Sequence, residues 1–95
     1  MLYAVYLQDV ENTKAQRMAL LTEHMEHIGR HLAKFRLGGP LMTQDASGFF
    51  GSLLLVEAES DSEIREMVEQ DPYFKAGIWR EMHIQPFNAV LDQWK

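Results

Sequence analysis

The 95 residues contain no cysteine, so neither a disulfide nor a thiolate metal site can form, which fits a reducing, cytoplasmic setting. Basic residues are outnumbered: 9 Lys and Arg stand against 14 Asp and Glu, for a net charge of −5. A phosphate backbone asks for a basic face, so no nucleic-acid partner is expected. No apolar run approaches the ~18 residues of a membrane-spanning helix. The N-terminus also lacks the basic start and apolar stretch of a secretory signal, and no membrane association is expected. A phosphate loop, an HExxH pattern, a serine or cysteine nucleophile elbow and a nucleotide fingerprint are all missing, so no cofactor is expected.

What is present is apolar. Hydrophobic residues make up 46% of the chain and aromatic residues 11%. One domain of this length, spanning residues 1–95, buries only roughly two-thirds of its unfolded surface. The surplus predicts a second copy of the chain as partner.

Leu2 to Gln8 (LYAVYLQ) reads as a strand that is apolar on both faces. After a polar connection capped by Asn12 or Thr13, a helix is predicted from about Lys14 to Lys34. Its apolar stripe is Met18, Leu21, Met25, Ile28, Leu32 and Phe35, expected to face the sheet. Gly38-Gly39-Pro40 predicts a turn or bulge, with a strand from Phe35 to Leu37 that could continue to Met42. Thr43 to Gly48 reads as a loop and Phe49 to Ala58 as the clearest strand. Ser60 and Glu63 form a capping box for a second helix that stops at Asp71-Pro72. A single turn over Tyr73 to Gly77 and a last strand over Trp79 to Phe87 follow. The tail, residues 88–95, carries Val90, Leu91 and Trp94 and is expected to dock on the dimer.

The resulting order is βαββαβ, an α+β ferredoxin-like fold. Its four-stranded antiparallel sheet, in strand order 4-1-3-2, has two helices on one face. An open face carrying residues such as Tyr3, Leu7, Leu53, Leu55 and Trp79 would be too large an apolar patch for a monomer, which predicts a homodimer through that face.

Three histidines, His24, His27 and His31, share roughly 60° of helical arc beside the apolar stripe. A metal site is one reading of this spacing, and a solvated helix flank is the simpler one. No metal is expected, and His27 and His31 are placed toward solvent. His24, nearest the stripe, is the candidate for partial burial. Asp71 either braces the turn before Pro72 or orients a histidine by fixing its tautomer. Arg17, two helical turns before His24, could anchor an anion at a pocket mouth. Gly39, Pro40 and Ser52 lie where glycines let a ligand approach the backbone. Tyr6, with Tyr73, Phe74, Trp79 and Phe87, could wall an apolar pocket. Arg17, Gly39, Pro40, Ser52 and Tyr6 are therefore the expected ligand-binding residues.

Taken together, the MLYAVYLQD opening, Arg17 and His24 in RMALLTEHMEHI, GGPL ending at Leu41, GSLLLVEA, DPYFKAGIW from Asp71 and IQPF from Ile84 resemble the YciI-like family of small dimeric α+β barrel proteins. The resemblance covers nearly the whole chain. It implies a pocket near the dimer with His24 and Asp71 paired at its base. It also implies relatives that isomerise lactones or remove halide from ring-derived compounds. The expected function is a cofactor-independent lyase or isomerase using a His–Asp acid–base pair on a small carboxylated or ring-derived compound. The alternative is a non-catalytic ligand-binding or regulatory module.

Overall fold

The computed structural model describes residues 1–93. Its elements are β1 (Leu2–Asp9), α1 (Lys14–Ala19), α2 (Leu21–Arg30), β2 (Phe35–Met42), β3 (Phe49–Glu57), α3 (Asp61–Glu69), α4 (Pro72–Lys75) and β4 (Trp79–Pro86), with a 3-10 turn at Leu32–Lys34 between α2 and β2. The strands form one antiparallel sheet in the order β2-β3-β1-β4. This is the α+β ferredoxin-like fold expected from the sequence.

Alternation along β1 decides which face is core. Tyr3, Val5, Leu7 and Asp9 are buried, while Leu2, Ala4, Tyr6 and Gln8 are only partly covered. Register carries the assignment across the sheet: Tyr3 lies opposite Val56, Val5 opposite Leu54 and Leu7 opposite Ser52. The core cluster joins Tyr3, Val5, Leu7 and Val56 to Ile64, Met67 and Val68 of α3. Tyr3 and Leu7 therefore belong to the helix-covered face. Tyr6, Leu53 and Leu55 share the open one, because side chains alternate between faces along a strand.

Gly38-Gly39-Pro40 makes no turn. The strand β2 runs through it, with Pro40 opposite Ser52 and register irregularities at Phe35/Leu37 and Leu41/Met42. Proline is tolerated because β2 is an edge strand and can spare one donor. In β3, Gly51 is required by proximity: a Cβ there would lie 2.3 Å from the Leu7 carbonyl oxygen. Gly77, at φ 76°, ends α4 in a conformation that L side chains rarely adopt.

The first helix differs from expectation in two ways. It is divided at Leu20, although bonds from Leu20 N–H to Gln16 O (3.0 Å) and from His24 N–H to Leu20 O (2.9 Å) carry the hydrogen-bond ladder across the break. Its apolar stripe is not core either: Met18, Leu21, Met25 and Leu32 are 59%, 43%, 53% and 64% exposed. Arg17 and His27 are buried in their place. The helix is held by polar partners on its inner side, so the stripe is left bordering a groove. At the second helix Ser60 caps as read, its Oγ accepting from Glu63 N–H, while Glu63 Oε1 accepts from the N–H of Glu59, one residue before the cap. Val90 and Leu91 are exposed on this single chain, and Trp94 lies outside the described residues.

Candidate functional site

Asp71 is the N-cap of α4, and its Oδ1 accepts the Tyr73 N–H at 2.8 Å. Pro72 follows at the first helical position, where a missing N–H does no harm. The cap thus fixes a buried carboxylate in place. His24, on α2, brings Nδ1 to 2.9 Å from both Asp71 oxygens. A carboxylate oxygen accepts, so Nδ1 carries the hydrogen, and in the neutral imidazole Nε2 keeps its lone pair. Among the described residues Nε2 has no protein partner. The imidazole stacks on Tyr73, with ring centroids 3.9 Å apart and planes 4° from parallel. Trp79 packs across both rings at 77° and 79°. Asp71, Tyr73 and Trp79 thus fix the ring, and His24 also lines a cavity.

Arg17 sits beneath this pair. Its Nε donates to Asp9 Oδ2 and its Nη2 to Asp9 Oδ1, both at 2.8 Å. Nη2 also reaches Gly51 O and Ser52 Oγ at 3.1 Å. Thr13 Oγ1 donates to Asp9 Oδ2 as well. The guanidinium carbon lies 4.8 Å from the centre of the Phe49 ring and 5.2 Å from that of Tyr73. This corrects the expectation of a free cation at a pocket mouth: Arg17 is buried and paired with Asp9. Nη1 is the part of the fork left without a protein partner among the described residues, and Arg17 lines the cavity. Tyr73 ties the two halves together, its hydroxyl donating to Arg17 O at 2.9 Å. Burial raises the Tyr73 pKa, which keeps that donor protonated.

His27 also departs from expectation. It is buried, and its Nε2 donates to Met67 O at 2.8 Å, near the C-terminal end of α3. His24 and His27 therefore tie α2 to the start of α4 and the end of α3. His31 packs edge-on to His27 at 4.9 Å. Desolvation, followed by the charges of His27, Lys34 and Arg30, lowers the His31 pKa. Among the described residues no group of three His, Cys, Asp or Glu could hold a metal ion.

The cavity has a volume of about 550 Å³ and runs between α1–α2 and the β2–β3 side of the sheet. Arg17, His24, Ser52 and Asp71 line it, as do Gly39 and Pro40 from β2. Tyr6 does not. It faces the open side of the sheet and stacks on His83 at 5.8 Å, because a one-residue step along a strand reverses the direction of the side chain. Sequence reasoning missed Asp9 and Phe49, and treated Tyr73 as a generic aromatic wall. No spacing rule links Asp9 to Arg17, since their contact depends on how a loop returns a helix to the strand.

The YCII-related domain family matches residues 1–88. Protein YciI of Escherichia coli is 30% identical over 98 residues, covering 96% of this chain and 100% of that protein. Fusaric acid biosynthesis protein 2 of Gibberella fujikuroi is 27% identical over 96 residues, 92% of each. Among solved structures, the 5-chloro-2-hydroxyhydroquinone dehydrochlorinase of Burkholderia phenoliruptrix, in complex with 2,5-dihydroxybenzoquinone, superposes with a TM-score of 0.82. It shares 29% identity over 93% of this chain and 94% of that one.

Proposed function

The chain belongs to the YCII-related family, and from that premise we propose that it is a small-molecule enzyme of lyase or isomerase type, using His24 as general base and acid on an oxygenated, ring-derived compound. The observation that carries this reading is the His24 Nδ1–Asp71 contact at 2.9 Å, which leaves Nε2 without a protein partner among the described residues, on a side chain that lines the cavity. Likeness to a dehydrochlorinase at a TM-score of 0.82 supports the reaction class.

The chemistry asks little of the protein. Nε2 takes a proton from a hydroxyl or carbon of the ring. The electron pair released forms a new double bond, and either a leaving group departs with its own bonding pair or the proton is returned at another carbon. Asp71 holds the ring in the required tautomer and balances the positive charge that develops on it. Arg17 Nη1, which has no protein partner among the described residues, and the backbone beside Gly39 and Pro40 would hold the ligand's oxygens. Neither route requires an external electron donor.

The working unit is proposed to be a homodimer. Leu53 and Leu37 are 41% and 42% exposed, and register places both on the open face with Tyr6 and Leu55.

Chloride release and the quinone absorbance band, followed with 5-chloro-2-hydroxyhydroquinone, test the enzyme reading. Turnover by the native protein and its loss by at least a hundredfold in His24→Asn, with the melting temperature kept, is the expected result. Binding of 2,5-dihydroxybenzoquinone without turnover of chlorinated or unchlorinated rings would favour the ligand-binding module instead.

A further inference from the structure

The cavity is several times larger than a single ring needs: about 550 Å³, whereas a void of about 150 Å³ is enough to take up benzene. Its chemistry is also uneven. The groups able to meet oxygen atoms, Arg17, His24, Ser52 and Asp71, gather where α1–α2 crosses Gly51 and Ser52. Away from them the lining is Met25, Ile28, Leu32, Phe35 and Leu54. The two polar residues of that region are already engaged, His27 with Met67 O and Arg36 with Glu57.

This apolar end is where the stripe of the first helix went. Met25 is 53% exposed and Leu32 64% exposed while both border the cavity, so folding leaves their surface in water. From His24 to Arg30, the end of α2, the helical rise alone gives roughly 9 Å, and the 3-10 turn carries the wall on to Leu32. The groove lies on the helix side of the sheet, opposite Tyr6, Leu53 and Leu55, and so a partner held through the open face does not cover it.

We propose that the site takes an elongated amphiphilic ligand: an oxygenated ring at the His24–Asp71 end and an unbranched apolar substituent laid along Met25, Ile28 and Leu32. This rests on the reading of the same site as one for ring-derived compounds, and it adds the part of the molecule that the ring does not account for. Unbranched methionine suits such a wall, since its flexible thioether adapts to a chain of varying length.

Calorimetric titration of the native protein with 2,5-dihydroxy-1,4-benzoquinone and its 3-alkyl homologues, from methyl to heptyl, tests it. The Kd is expected to tighten about two- to fourfold per added methylene over the first several, and then to level off. Met25→Gln with Leu32→Gln should flatten that slope, and because both positions are exposed the variant should melt like the native protein. If the unsubstituted quinone binds and chain length has no effect, the inference fails while the acid–base reading stands. If no member of the series binds, both fall. A flat slope accompanied by conversion of dimer to monomer in the double variant would make the stripe an interface between copies, which also overturns the proposal.

Discussion

The imidazole of His24 and the carboxylate of Asp71 meet at 2.9 Å although 47 residues separate them in the chain. Neither element distorts to make the contact. Asp71 is fixed by capping α4 through the Tyr73 N–H, and His24 is fixed by its stack on the Tyr73 ring. One aromatic residue therefore positions both members of the pair. The same residue reaches the backbone of Arg17 through its hydroxyl.

The Arg17–Asp9 pair is buried on both sides, so removing one partner strands a charge. Arg17→Met is expected to lower unfolding free energy by about 3–5 kcal/mol, read from urea denaturation monitored by circular dichroism. Replacing Asp9 by Leu in the same chain should recover most of that loss. A double variant no more stable than Arg17→Met would show that the guanidinium packing against Phe49 and Tyr73, rather than the ion pair, holds the site.

Two glycines should respond in opposite directions. At Gly51 an added Cβ meets the Leu7 carbonyl oxygen at 2.3 Å, so Gly51→Ala must push β1 and β3 apart, at a cost of about 1–3 kcal/mol. At Gly29, in α2, nothing lies within 4 Å of such an atom, and Gly29→Ala should add about 0.5–1 kcal/mol through helix propensity. Thermal melts of the two variants beside the native protein check both signs.

Assembly through the open sheet face predicts a solution mass near twice the 11.0 kDa chain. Light scattering at micromolar concentration should return that value, and Leu53→Asp should return a single chain. A monomeric native protein would remove the homodimer from the account.

Much of this architecture was legible in the residues, because period-two and period-3.6 patterns report directly on elements. The DP step before Tyr73 and the Ser60–Glu63 box marked helix boundaries by local chemistry, and these appear where expected. The stripe from Met18 to Leu32 announced an apolar neighbour without saying which one, and sheet and groove look alike to a helix read alone. Gly38-Gly39-Pro40 looked like a turn because glycine and proline usually interrupt strands. An edge position removes that penalty, and only the sheet order reveals it. The sequence puts His27 toward solvent and Arg17 at a pocket mouth because polar side chains are seldom buried. Their burial depends on Met67 O and Asp9, partners supplied by distant segments. Which face of β1 is core, and hence that Tyr6 lies away from the cavity, was undecidable from a strand apolar on both sides.

The central claim is that His24 presents a proton-accepting Nε2 to the ligand while Asp71 holds Nδ1–H. Nitrogen-15 imidazole spectra of the native protein, with His24 assigned through His24→Asn, measure this directly. The account predicts the Nδ1–H tautomer in the free protein. It also predicts a marked change at His24 Nε2 when 2,5-dihydroxybenzoquinone is added, with His27 remaining Nε2–H throughout. A free protein with the hydrogen on His24 Nε2, or a bound one in which the His24 nitrogens do not respond, would contradict it.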